Sequence, residues 1–107
     1  MAEKFSELDE IRAQITPILK ELGVEKAILF GSMSRGTKSR KSDIDLLIVV
    51  ETQERFFERY RRFEKIYLQL KGKTVDMLIY TPSELEKIGH RTFIRKILRE
   101  GKIIYEH

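Results

Sequence analysis

Apolar residues recur at three- and four-residue steps at the start of the chain, and this spacing predicts an amphipathic helix. Its apolar positions are Phe5, Leu8, Ile11, Ile15, Ile18, Leu19 and Leu22. Ser6 is a candidate cap of this helix and Gly23 a candidate stop. Because Pro17 lies inside the pattern, we expect a kink there or a second helix that begins near Thr16.

The pattern then changes to short apolar runs rich in β-branched residues, which predict four strands. These runs are Val24 to Phe30, Ile44 to Val50, Thr74 to Tyr80 and Lys102 to Tyr105. The second run, IDLLIVV, carries a single charge, so we expect a strand that is buried on both faces.

Helical patterns separate the later strands. Thr52 is the candidate cap of a long helix that Gly72 closes, and its aromatic stripe is typical of core rather than of a ligand platform. The stripe comprises Phe56, Tyr60, Phe63, Tyr67 and Leu70, while Arg55, Arg59, Arg62 and Lys65 lie largely off it. A capping signature at Thr81-Pro82 predicts a short helix, and a second follows over 92–99 and ends at Gly101. The predicted order is α, β, β, α, β, α, α, β, an α/β chain.

The length of 107 residues suits one domain, predicted over 1–107. No apolar run approaches the roughly 18–20 residues of a membrane span, and the first ten residues lack the apolar core of a signal peptide, so we expect a cytoplasmic protein. The absence of cysteine excludes disulfides, thiolate metal sites and a cysteine nucleophile. Any catalysis must therefore use carboxylates, hydroxyls, histidine or a bound metal.

The net charge of +4 is concentrated in one segment. Residues 31–42 contain Arg35, Lys38, Arg40 and Lys41 and no acid, and the remaining chain has equal numbers of acidic and basic residues. A small positive patch suits a triphosphate better than a long nucleic-acid duplex, which usually meets a wider basic face.

The same segment begins with a glycine turn. Gly31 and Gly36 have the spacing of a P-loop, but Lys38 comes one residue too late to reach the phosphates it would have to contact. Gly31 can instead let a phosphate approach the backbone, where Ser32 donates a hydrogen bond and Arg35 supplies charge. A purely structural strand-to-helix turn explains these residues equally well.

Three aspartates accompany two of the predicted strands. Asp43 and Asp45 open one strand two residues apart, so their carboxylates share a face, and Ser42 before them can hold the turn. Asp76 is the only charge in the next strand and becomes a third metal ligand if the two strands are neighbours. Carboxylates this close repel one another, and a divalent metal suited to phosphoryl transfer would relieve the repulsion. Each aspartate has an alternative as a turn residue, a solvent-facing residue or the partner of an arginine.

Taken together, Gly31-Ser32, ten residues and then Asp43-Ile44-Asp45 resemble the signature of the DNA polymerase β-like nucleotidyltransferase superfamily. The short chain and the sequence GSMSRG are most similar to the minimal nucleotidyltransferases. The resemblance implies a small mixed sheet flanked by helices that binds ATP and two Mg²⁺ ions.

By the same resemblance, Gly31 and Ser32 bind the triphosphate, and Asp43 and Asp45 hold the metals. Asp76 matches a third carboxylate that ligates one metal and assists deprotonation of the attacking hydroxyl. Arg35 contacts phosphate or anchors the turn. His90 is a conceivable base, but a lone histidine beside a helix is usually a surface residue.

The resemblance further implies a HEPN-domain toxin as partner, with this chain as the antitoxin that AMPylates one of its tyrosines. Two alternatives stay open: transfer to a small aminoglycoside-like molecule, with an acceptor pocket at a homodimer interface, and a binding-only antitoxin that masks its partner without catalysis. No extended nucleic-acid surface and no membrane contact are expected.

Overall fold

The computed structural model describes residues 7–31 and 43–107. Its elements are α1 (Glu7–Glu21), β1 (Val24–Phe30), β2 (Ile44–Val50), α2 (Phe56–Arg62), α3 (Glu64–Gln69), β3 (Val75–Tyr80), α4 (Pro82–Ile88), α5 (Thr92–Glu100) and β4 (Lys102–Glu106). Phe5 and the candidate cap Ser6 lie outside the described residues. No helix in the described part of the chain is long and apolar enough to cross a membrane.

Helix α1 continues through Pro17, so the alternative of a second helix beginning near Thr16 is wrong. Pro17 is exposed, while Ile15 and Leu19 on either side of it are fully buried, so packing of the apolar face outweighs one missing backbone hydrogen bond. Gly23 follows the helix with φ 73°, a left-handed conformation that glycine adopts without steric cost, and the predicted stop is confirmed.

The long helix predicted after β2 is wrong in two respects. The segment forms two short helices that meet at Phe63, and the first of them begins at Phe56 rather than at Thr52. The Thr52 hydroxyl accepts a hydrogen bond from the Glu54 backbone N–H at 3.1 Å and so closes a local turn instead of a helix. Arg55 precedes the helix, and its N–H donates to Glu58 at 3.0 Å.

The four strands form one mixed sheet in the order β3-β2-β1-β4, which confirms the expected fold. Strand β1 pairs antiparallel with β2 and with β4, whereas β2 and β3 run parallel. Strand β2 is thus central, and six of its seven residues, all except Asp45, are buried, as its apolar sequence predicts.

Alternate residues of the strands build two different surfaces. The first face packs against α1, α2 and α3 in the main core, whose members include Ile15, Leu19, Leu29, Leu46, Ile48, Phe63, Ile66, Met77 and Ile79. The second face carries a smaller cluster around Ile28, Leu47, Ile94 and Ile97, covered by α4 and α5. Both aspartates of the paired strands β2 and β3 alternate onto the second face.

Candidate active site

Strands β2 and β3 start at the same end of the sheet and bring two predicted site residues together. Their register pairs Ile44 with Val75 and Asp45 with Asp76. Residues opposite each other on neighbouring strands project from the same face, so both carboxylates lie on the second face. The expectation that the strand of Asp76 lies beside the strand of Asp45 is confirmed. Asp76 itself is exposed on an edge strand, as one of its alternatives anticipated.

Strand β1 ends at this same point and brings in the glycine turn. Phe30 pairs with Asp45, and Gly31 follows with φ 81°. A Cβ added to Gly31 would lie 2.5 Å from Asp45 Oδ2, closer than real Cβ atoms approach. The positive φ of Gly31 favours glycine at this position, and any larger residue would also have to displace the Asp45 carboxylate.

The surroundings of Asp45 disfavour the charged form of its carboxylate. Its pKa is raised first by burial, and then by the negative charges of Asp76 and of Asp43, which immediately precedes β2. Across residues 7–31 and 43–107, no hydrogen bond or ion pair joins Asp45 or Asp76 to a cationic side chain. Burial and the neighbouring negative charges disfavour the ionised form of Asp45, and a bound cation would offset this cost.

The chemistry of the three carboxylates fits a divalent ion such as Mg²⁺, which prefers oxygen ligands and shares them with substrate phosphates. They are neighbours rather than a preassembled ligand set, because no three carboxylate or histidine side chains in the described ranges are already gathered to hold a metal. Ser32, Arg35 and Ser42 lie outside the described residues, so their predicted roles remain predictions.

A cavity of about 350 Å³ adjoins Asp45 on the second face. It is lined by Phe30, Gly31, Asp45, Phe93, Lys96, Ile97, Glu100 and Gly101. The sequence analysis missed the contribution of α5, although its FIRKI segment combines apolar and basic residues as a site-lining helix can. His90 is exposed between α4 and α5 and does not line this cavity.

A second charged group, near the other end of β3, behaves differently. Arg59 was expected to lie off the apolar stripe, but it is only 4% exposed. Its guanidinium donates to both carboxylate oxygens of Glu84, at 2.6 and 2.9 Å, and to the Ile79 carbonyl at 3.0 Å. The arginine lowers the pKa of Glu84 to about 2, which marks a satisfied structural ion pair that joins α2 to α4.

Glu84 also completes the predicted capping box of α4. The Thr81 hydroxyl accepts from the Glu84 N–H at 3.1 Å, and the Glu84 carboxylate accepts from the Thr81 N–H at 2.9 Å. The capping signature is confirmed, and it fixes the carboxylate that Arg59 needs.

A protein-family model described as "Polymerase beta, Nucleotidyltransferase" matches residues 13–107. The chain belongs to the polymerase β nucleotidyltransferase family. A relative from Methanocaldococcus jannaschii named "Putative protein adenylyltransferase" is 34% identical over 73 residues, which cover 68% of this chain and 77% of the relative. This nucleotidyltransferase is accordingly an enzyme by family, as the resemblance implied.

Solved structures share its fold. A crystal structure described as a toxin–antitoxin with AMP-PNP superimposes with a TM-score of 0.66 at 23% identity, over 90% of this nucleotidyltransferase and 73% of that chain. A structure of tri-AMPylated Shewanella oneidensis HEPN toxin in complex with MNT antitoxin gives a TM-score of 0.63 at 17% identity, over 94% of this chain and 73% of that one. At these identities the similarity establishes the fold alone.

Proposed function

We propose that this nucleotidyltransferase transfers AMP from ATP, in a Mg²⁺-dependent reaction, to a tyrosine hydroxyl of a HEPN-domain toxin and thereby acts as its antitoxin. The observation that carries the proposal is the register of β2 and β3, which sets Asp76 opposite Asp45 beside the Gly31 turn. The M. jannaschii relative and the toxin–antitoxin structures support the choice of a protein acceptor.

The residues divide the work by their positions. Gly31, with Ser32 and Arg35, would bind the triphosphate, and Ser42 would hold the turn before β2. Asp43, Asp45 and Asp76 would hold Mg²⁺, which when bound supplies positive charge to the phosphates. Since the ionised carboxylates repel one another, bound Mg²⁺ would stabilise them. The same ions would favour binding of the negatively charged triphosphate.

The reaction is a displacement at the α-phosphorus. The tyrosine oxygen forms a bond to the α-phosphorus, the bond from that phosphorus to the bridging oxygen breaks, and pyrophosphate leaves. The phenolic proton passes to a carboxylate, a role that we assign to Asp76, and its exposed position on the edge strand supports this choice. Positioning and neutralisation of charge provide most of the acceleration in such transfers.

The test uses the purified chain, Mg²⁺, its cognate HEPN protein and ATP labelled in separate reactions on the α- or the γ-phosphate. Adenylylation predicts that the HEPN protein becomes labelled from α-labelled ATP only. No label should appear when EDTA is present from the start of the reaction. Label from γ-labelled ATP would indicate phosphorylation instead. No label from either substrate, in a complex shown to be intact, would contradict the proposal.

The same purified proteins distinguish the two alternatives, masking without catalysis and transfer to a small molecule. A chain with Asp43→Asn and Asp45→Asn that still neutralises the toxin would show masking without catalysis. A labelled small product formed without the HEPN protein would show transfer to a small molecule. The proposal requires that the double substitution abolish both labelling and neutralisation.

A further inference from the structure

The cavity beside Asp45 lies between the end of β1 and α5 and opens next to the proposed phosphate and metal site. Its volume of about 350 Å³ is at the small end of ligand pockets, which span roughly 300–1,000 Å³. It can therefore enclose one part of a nucleoside triphosphate rather than the whole molecule.

The charges of the residues that line the cavity indicate which part of the nucleotide it can bind. Among the described residues that line the cavity, two carboxylates, Asp45 and Glu100, accompany one ammonium group, Lys96, so this lining does not favour phosphate. The other described side chains that line the cavity are apolar and belong to Phe30, Phe93 and Ile97. A neutral, flat, aromatic group suits this lining, whereas the triphosphate belongs on the Gly31 side.

Phe93 provides a flat surface at the cavity. Its side chain is 57% exposed although it is large and apolar, and it lies on the α5 wall. Its ring meets that of Phe30 edge to face, with centroids 5.9 Å apart and an interplanar angle of 82°. This contact orients the ring, and an exposed, oriented aromatic ring is a stacking surface for a nucleobase.

We infer that this cavity binds the nucleoside end of the nucleotide substrate and that Phe93 stacks on the base. The base then lies against α5 while the phosphates extend to Gly31 and the carboxylates at the start of β2. The inference rests on the proposed function for the identity of the substrate, and it adds the base-binding wall that the motif residues do not supply.

The experiment measures equilibrium binding of ATP and of inorganic tripolyphosphate to the full chain with Mg²⁺, in the absence of any acceptor. Phe93→Ala should weaken ATP binding about 5- to 100-fold, because a lost base–aromatic stack has that effect. Tripolyphosphate binding should be unchanged, since it has no base. Phe93→Leu, which keeps an apolar side chain without a ring, should also weaken ATP binding, whereas Phe93→Tyr should restore it.

Phe57→Ala is the matched control. Phe57 is 85% exposed on α2 and has its own edge-to-face partner, Phe56, at 5.8 Å, but it does not line the cavity. This variant should bind ATP as the wild type does. Because Phe93 is largely exposed, the Phe93 variants should also fold, which their unfolding curves would verify.

The outcomes separate the inference from the proposed function. Wild-type ATP affinity in Phe93→Ala, or an equal loss of tripolyphosphate affinity, would overturn the base-stacking role while leaving nucleotidyl transfer intact. A variant with normal ATP affinity but a raised KM for the acceptor would assign the cavity to the acceptor instead. A wild-type chain that binds tripolyphosphate but no ATP, or neither ligand, would overturn both.

Discussion

The two faces of the sheet are built from the same strands but differ in how completely helices cover them. The first face carries the main apolar core and packs against α1, α2 and α3. The second face is covered by α4 and α5 around a smaller cluster and carries Asp45 and Asp76 where β2 and β3 begin. One face therefore provides most of the stability, while incomplete covering of the other leaves room for charge and a cavity.

The largest expected effect is on the first face. Leu46→Ala should lower the free energy of unfolding by about 2–5 kcal/mol, because Leu46 is fully buried in the main core and truncation leaves a cavity. Urea unfolding followed by circular dichroism measures this change. Leu98→Ala, at a leucine that is 46% exposed on α5, should cost less than about 1 kcal/mol. Equal costs would contradict the assignment of the main core to the first face.

On the second face, a substitution is expected to affect activity rather than stability. Asp45→Asn should reduce nucleotidyl transfer at least about a hundredfold, as loss of one transition-state contact does elsewhere. Stability in metal-free buffer should be no lower than that of the wild type, because the change removes a carboxylate whose charged form is disfavoured by burial and by its neighbours. Transfer assays and thermal unfolding in EDTA test the two halves. Glu10→Gln, at an exposed position of α1, is the control.

Gly31→Ala should affect both stability and activity, because Gly31 lies beside the Asp45 carboxylate. Its φ of 81° predicts a loss of about 1–2 kcal/mol of stability, and the added Cβ would displace the Asp45 carboxylate. Transfer should fall about ten- to a hundredfold, since misplacement of a reacting group by about 1 Å can cost that much.

Gly72→Ala is a closely matched control for this substitution. Gly72 has φ 93°, but a Cβ there meets nothing within 4 Å. It should lose similar stability and keep full activity. If both variants lose activity equally, the contact between Gly31 and Asp45 has no functional role.

The smallest effect concerns the ion pair between Arg59 and Glu84. Glu84→Gln should cost roughly 1–2 kcal/mol at pH 7, a value below that of a fully buried pair because the Glu84 side chain is 42% exposed. The folded-state pKa of Glu84 is about 2 and its ordinary value is 4.5, so the contribution is complete above pH 4.5 and lost as pH falls towards 2. The difference in unfolding free energy between wild type and variant should shrink over this window.

Glu86→Gln on the same helix serves as the control for this titration. Glu86 is exposed, so its substitution should change stability by less than about 0.5 kcal/mol at any pH in the window. A difference for Glu84→Gln that is constant from pH 7 to pH 2 would contradict the pairing as the cause.

Several features of the fold can be predicted from local sequence patterns. The period of two places Asp45, Leu47 and Val49 on one face, and the apolar run from Ile44 to Val50 predicts a central strand. The capping box at Thr81 and the stop at Gly23 are equally local. Each depends on neighbours within a few residues, so the sequence alone suffices to predict it.

Other features depended on which segments pack together. The break at Phe63 and the burial of Arg59 are set by how α2 and α3 fit the sheet and by Glu84, 25 residues later. A helical periodicity places Arg59 beside the apolar stripe but cannot indicate that a distant carboxylate will neutralise it. Tertiary contacts therefore overrode the local pattern at this helix.

For the candidate site, the sequence alone supplies the chemical groups: a glycine turn, two carboxylates at the start of β2 and a third in β3. Only the tertiary structure decided that Asp76 lies opposite Asp45 and that Phe93 and Lys96 of α5 wall the adjoining cavity. The physical reason is that side-chain alternation is a property of one strand. Strand register and the placement of a covering helix are set by burial of the whole apolar surface, to which distant segments contribute together.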